Sequence, residues 1–168
     1  MNNRTPALFR AFLAGGLVSL LLPSIVLAQQ KRGGMEVLAK SSDVIALGKV
    51  TSLTSEWADN RSRIVTTVTL VVGEYLKKGN ADGNVITIST PGGEIGDVGE
   101  MYTHMPTFRQ NEEVVVFLEK AEKGHYRVAG GNQGKYNIEQ DPATGQPLVA
   151  GKVTVREFSS AVKRALLE

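Results

Sequence analysis

The sequence predicts a mainly β fold, a closed or nearly closed antiparallel barrel with helices at its two ends. Three observations carry this. Runs rich in Val, Ile and Thr alternate in faces along the chain, as half-buried strands do. Turn signals built on Gly, Pro and Asp separate them at about 8- to 15-residue intervals. No β-α-β alternation occurs, which removes the parallel-sheet α/β folds. Closing such a sheet into a barrel leaves few strand edges unpaired.

The chain opens on residues that read as an export signal rather than as fold. Arg4 and Arg10 form a positive start, Ala11 to Ile25 an apolar stretch broken by Gly15, Gly16 and Pro23, and Val26-Leu27-Ala28 a small-residue cleavage site. Cleavage before Gln29 is expected, leaving one domain over 29–168. No later stretch is long and apolar enough to span a bilayer. The expected location is therefore outside the cytoplasm, in a periplasm or the extracellular space, with no integral membrane segment after cleavage. An N-terminal Gln tends to cyclise and lose its amine.

In the remaining chain, Met35 to Lys40 reads as a short helix with Met35, Leu38 and Ala39 on one side. Asp43 to Val50 reads as a strand apolar on both faces. Thr51 to Ser62 is polar, carries the single Trp57, and is expected to be a loop. Ile64 to Tyr75 is the clearest strand: Ile64, Thr66, Val68, Leu70 and Val72 share a face. Asp82-Gly83 then predicts a turn, after which Val85 to Thr90 pairs back as a hairpin. Glu113 to Glu119 is apolar from Val114 to Leu118, as expected of a strand covered on both sides. Tyr126 to Ala129, Lys135 to Glu139 and Leu148 to Val149 are short strands between Gly-rich turns. Thr154 and Glu157 have capping-box spacing, and Val155, Phe158, Ala161, Val162, Ala165 and Leu166 follow at helical spacing, so 154–168 is expected to be an amphipathic helix on the sheet.

Composition excludes several functions. The formal charge of +2 falls to zero once Arg4 and Arg10 leave, so no basic face argues for nucleic acid. With no cysteine there is no disulfide framework, thiolate nucleophile or Cys-type zinc site. His104 and His125 are the only histidines, and neither has a nucleophile signature near it. Glu94, Asp97, Glu100 and His104 crowd one loop, but their spacing matches no calcium loop. Pro91-Gly92-Gly93 follows a strand without the Gly-Lys-Ser/Thr that a phosphate loop needs. The expectation is no metal, no cofactor and no catalysis.

Ser42 to Val50, the Thr-rich strand ending Glu74-Tyr75-Leu76-Lys77, and Thr90-Pro91-Gly92-Gly93 form one half of a recognisable pattern. Pro106-Thr107-Phe108, Glu112 to Leu118 and Gln133-Gly134-Lys135-Tyr136 form the other. Over Glu36 to Glu139 the chain resembles a group of exported bacterial domains. These are similar in turn to the OB-type barrel of the netrin-like and tissue-inhibitor-of-metalloproteinase group. The resemblance implies a small OB-like barrel that binds rather than catalyses. In that inhibitor family an N-terminal Cys chelates the protease zinc, and this chain has no Cys.

The function expected is thus an exported, non-catalytic binding domain whose partner is another exported or envelope protein. A metalloprotease-inhibitor-like protein and a structural envelope component are the alternatives. The candidate site is the stretch Gly92 to Asn111, expected to lack regular structure. Met101, Tyr102, His104, Met105 and Phe108 would line it, since Met and aromatic side chains suit an adaptable protein-binding surface. The competing expectation is that Tyr102, Pro106 and Phe108 fold back to plug one end of the barrel.

Overall fold

Two fourteen-residue strands, β1 (Val44–Trp57) and β2 (Ile64–Lys77), pair as a long hairpin that frames the molecule. The computed structural model describes residues 34–58 and 61–168. The predicted signal, residues 1–28, lies outside them. β3 (Val85–Pro91) pairs back on β2, as Asp82-Gly83 predicts. β6 (Glu113–Lys120) pairs with β1 over Val44–Lys49, and β7 (Tyr126–Val128) pairs with β6. A parallel contact of Ile88 in β3 with Tyr126 in β7 closes five strands, β1-β2-β3-β7-β6, on themselves.

That contact corrects the expectation of a wholly antiparallel barrel. The correction has a topological cause. Strand directions alternate around an antiparallel barrel, and five is odd, so one neighbouring pair must run the same way. β3 and β7 are that pair, and the sheet is mixed. Beyond the barrel, β8 (Lys135–Gln140), β9 (Pro147–Val149) and β10 (Val153–Thr154) continue the sheet from the first half of β6.

Alternation sorts the apolar side chains into two cores. Val44, Ala46 and Val50 of β1, Val68 and Leu70 of β2, Ile88 of β3, and Val114, Val116 and Leu118 of β6 fill the barrel. Ile45, Leu47, Val115 and Phe117 point outward, where two helices cover them. β1 and β6 read as apolar on both faces for this reason. The first helix, α1 (34–41), contributes Leu38 and Ala39 to the outer core. Its C-terminal carbonyls are gathered by Lys77, whose ammonium donates to Ala39 O (3.2 Å), Lys40 O (3.1 Å) and Ser42 O (2.6 Å). A cation there meets the negative end of the helix dipole.

The second helix, α2 (Val155–Ala165), is shorter than the expected 154–168. Thr154 caps it: its hydroxyl accepts from Glu157 N–H (3.2 Å), and the Glu157 carboxylate accepts from Thr154 N–H (3.0 Å). The Thr154 N–H first, and then the Thr154 hydroxyl, which also donates to the carboxylate (2.9 Å), hold the Glu157 carboxyl below its ordinary pKa. Phe158, Val162 and Ala165 complete the outer core. Phe158 meets Tyr136 at 5.0 Å and Phe117 at 6.5 Å between ring centroids, and burial raises the Tyr136 phenol pKa.

β1 corrects a second expectation. It does not end at Val50 but runs on through the polar Thr51–Trp57. An irregularity between Val50 and Ser52 leaves Thr51 as an extra residue. This bulge flips the alternation, so Leu53 and Ser55 face the side that Val50 faced before it. Hydroxyls hold the polar half: Ser52 Oγ donates to Thr69 Oγ1 (3.0 Å), and Ser55 Oγ and Thr66 Oγ1 share a bond of 2.9 Å.

Val68 is fully buried in the barrel core. Val68→Ala is expected to lower stability by about 2 kcal/mol through lost burial and a residual cavity. Val68→Asp is expected to prevent folding, because the carboxylate would have no partner there. Denaturant unfolding and soluble yield check both, and a Val68→Asp protein that melts like the parent would contradict this placement.

Candidate functional site

The hairpin β1-β2 is nearly twice as long as β6, so one end of the barrel stands open on the inner face of the hairpin's far half. The stretch Gly92 to Asn111 fills that end. The expectation that it lacks regular structure is corrected. Gly93–Ile95 and Val98–Glu100 form a small hairpin, β4 and β5, apart from the main sheet. Strands of three residues are too short for alternation to reveal, and Gly96-Asp97 is the only local sign of the turn.

Three sets of bonds tie this segment to the barrel. At its start, Thr66 Oγ1 donates to Gly92 O (2.6 Å), and Ile64 N–H donates to the Glu100 carboxylate (2.8 Å). A Cβ at Gly93 would stand 2.5 Å from Ser55 Oγ and closer still to Thr66 Oγ1, and φ there is +135°. Only glycine lets the backbone come so near. In the middle, Asn132 Nδ2 donates to Thr103 O (2.9 Å) and Asn132 N–H to His104 O (3.0 Å).

At its end, Lys135 Nζ meets the Glu112 carboxylate at 2.9 Å, with the two side chains only 9% and 14% exposed. The same ammonium donates to Thr107 O (2.8 Å) and lies 4.9 Å from the centre of the Phe108 ring. Glu112 also accepts from Arg109 N–H (2.9 Å). The Gln133 to Tyr136 stretch singled out in the sequence thus holds the base of the segment through Lys135.

Between the tied segment and the strands lies a cleft of about 580 Å³. Its floor is polar, with Ser55, Thr66, Thr90 and the Gly92-Gly93 backbone. Its rim is apolar and open: Met101 is 84% exposed, and Tyr102 and Met105 are each 41% exposed. Four of the five candidate residues divide between two roles. Met101, Tyr102 and Met105 stand at the rim. Phe108 packs on the barrel core and Pro106 is buried, so these two do plug the barrel end. His104 is exposed beside the rim, and the bonds given above engage its carbonyl.

The other singled-out residues lie apart. His125 sits in the turn between β6 and β7, where its carbonyl accepts from Ala121 N–H (2.8 Å). Ser89 is half-buried on β3, and Ser55 is bonded to Thr66 in the cleft floor. Among the described residues, no three His, Asp or Glu side chains converge as metal ligands, and Glu100 is engaged by the Ile64 N–H. Leu53, Ser55, Thr66 and Thr90 line the cleft, and sequence reasoning assigned them no such role. The signal for them was faint: hydroxyl residues at inward positions of strands, where a closed core takes apolar ones.

No protein-family model and no curated protein matches the chain.

The Lys135–Glu112 pair is nearly desolvated, so losing one partner strands the other charge. Lys135→Met and Glu112→Gln are each expected to destabilise by about 3 kcal/mol. The double variant is expected to recover part of this, with a coupling of about 2 kcal/mol in a double-mutant cycle. Additive single effects would show that the pair does not anchor the segment.

Proposed function

We propose that the chain is an exported, non-catalytic binding domain built on an OB-like barrel, and that the mouth cleft is its recognition site. The strand order β1-β2-β3-β7-β6, closed through the β3-β7 pair, supports the OB-like reading. The observation that carries the binding reading is the pairing of exposed Met and Tyr side chains with a segment tied at its start, middle and end. Exposed apolar groups cost nothing to fold around, but holding them in place lowers the ordering cost of a complex. Methionine adapts its shape to a partner, and tyrosine adds a polar tip. Residues in such a cleft sit where ligands ordinarily bind, with apolar walls and a few placed polar groups.

The partner in this reading is another exported or envelope protein. Among the described residues no helix is long and apolar enough to cross a membrane.

Replacing Met101, Tyr102 and Met105 together with Ser is expected to lower the melting temperature only modestly, because Met101 is 84% exposed and none of the three belongs to either core. Capture of envelope proteins by the immobilised domain is expected to be lost in the same variant. Strong destabilisation would instead make these side chains part of the barrel plug, since each buried apolar group contributes roughly 1.5–3 kcal/mol. Little change in stability with unchanged capture would place the site elsewhere.

A further inference from the structure

The far half of β1 has a second side that the barrel does not use. Ala58 N–H donates to Arg63 O (2.9 Å), continuing the β1-β2 register. Stepping back in twos, Glu56, Thr54 and Ser52 turn their backbone groups toward β2. Leu53, Ser55 and Trp57 therefore turn their N–H and C=O groups to the opposite edge. The other end of the strand agrees. Val50 N–H donates to Glu112 O (2.9 Å) and Val50 O accepts from Asn111 N–H (2.8 Å), so Val50 faces that edge. The extra residue at Thr51 carries the same facing on to Leu53.

β6 pairs with β1 only as far as Lys49, and the chain leaves the edge at Asn111. Among the described residues nothing pairs with the edge from Leu53 to Trp57. Ordinary protections of an exposed edge are scarce here: the stretch has no Pro and no Lys, and its bulge lies before it. Leu53 and Ser55 also line the mouth cleft, so this open edge and the cleft are one groove.

We propose that an extended polypeptide segment adds to this edge as a further strand, seating alternate apolar side chains in the mouth cleft and a basic side chain at its acidic flank. The inference rests on the cleft being the binding site and names what it binds. Backbone bonds to Leu53, Ser55 and Trp57 would supply affinity, and the cleft would supply specificity for every second side chain. Its volume lies within the range of ligand clefts, ~300–1,000 Å³.

Charge decides the occupant. Glu94 and Glu100 line the cleft, on the face to which Leu53 and Ser55 point, and neither is in an ion pair among the described residues. A second copy of this chain, docked edge to edge, would set that acidic flank against itself. A separate segment carrying Lys or Arg would be attracted to it.

The probe is a short capped peptide that alternates leucine with threonine between terminal lysines. Titrated into the protein, it is expected to change the fluorescence of Trp57, the only tryptophan, and to shift the amide resonances of Leu53, Ser55 and Trp57. N-methylation of every second peptide nitrogen, on the edge-facing side, is expected to weaken binding about tenfold, or 1.4 kcal/mol. Ser55→Pro removes the outward donor, which an edge strand tolerates, together with the hydroxyl bond to Thr66. It is therefore read against Ser55→Ala, which loses the hydroxyl alone, and relative to that control it is expected to weaken binding similarly. Should Ser55→Pro fail to fold, Glu94→Lys, at an exposed position of the cleft wall, serves in its place. It is expected to weaken the lysine peptide and strengthen a glutamate-ended one. Equal binding of the N-methylated peptide, or shifts confined to other elements, would overturn strand addition. So would concentration-dependent dimerisation through this edge without peptide binding. If the Met101, Tyr102 and Met105 triple variant loses partner capture while Ser55→Pro keeps it, the cleft stands as the site and strand addition falls.

Discussion

The mismatch between a fourteen-residue hairpin and an eight-residue partner organises this molecule. β6 can close the barrel only against the first half of β1. Past Lys49 the sheet must open, and both an inner face and a strand edge are left to be covered in other ways. The Thr51 bulge sits where the pairing changes. It keeps Leu53 and Ser55 facing inward after the strand has lost its second neighbour, so the barrel wall continues as the wall of a cleft.

The segment after β3 answers the open end with polar bonds rather than burial. Hydroxyls of Ser55 and Thr66 line the place where a closed barrel would carry Val or Ile, and the Gly92-Gly93 backbone lies against them. Lys135 and Glu112 anchor the far side in surroundings dry enough to strengthen their attraction and to penalise the loss of either. Only Pro106 and Phe108 turn inward. Met101, Tyr102 and Met105 remain outside, where they add no core. That division separates what holds the segment from what it presents, which is the arrangement a preorganised binding surface requires.

Much of this was legible in the residues because local chemistry determined it. The β2 face from Ile64 to Val72, the two-sided burial of Val114 to Leu118, and the Thr154–Glu157 cap each follow from short-range pattern. What escaped depended on partners distant in the chain. Thr51 to Trp57 has no apolar alternation of its own, and it becomes a strand because Thr66 and Thr69 offer hydroxyl partners across the hairpin. The parallel β3-β7 contact follows from counting barrel strands, which no single stretch displays. The segment singled out in the sequence borders the cleft, but only part of the cleft lining is legible there. Met101, Tyr102 and Met105 announce themselves as apolar residues in a loop, whereas Ser55, Thr66 and Thr90 acquire a role only when the barrel end brings them together.

Beyond Thr51, β1 has one paired and one open edge. Native-state amide hydrogen exchange, read residue by residue, tests this most directly. In the free protein, Thr54 and Glu56 are expected to exchange slowly because their N–H groups bond to β2. Leu53, Ser55 and Trp57 are expected to exchange orders of magnitude faster, since theirs point to the open side. Uniform protection from Ser52 to Trp57 would mean that the edge is already covered, and uniform fast exchange would mean that the hairpin does not extend past Val50. Either pattern would contradict an open edge at Leu53, Ser55 and Trp57.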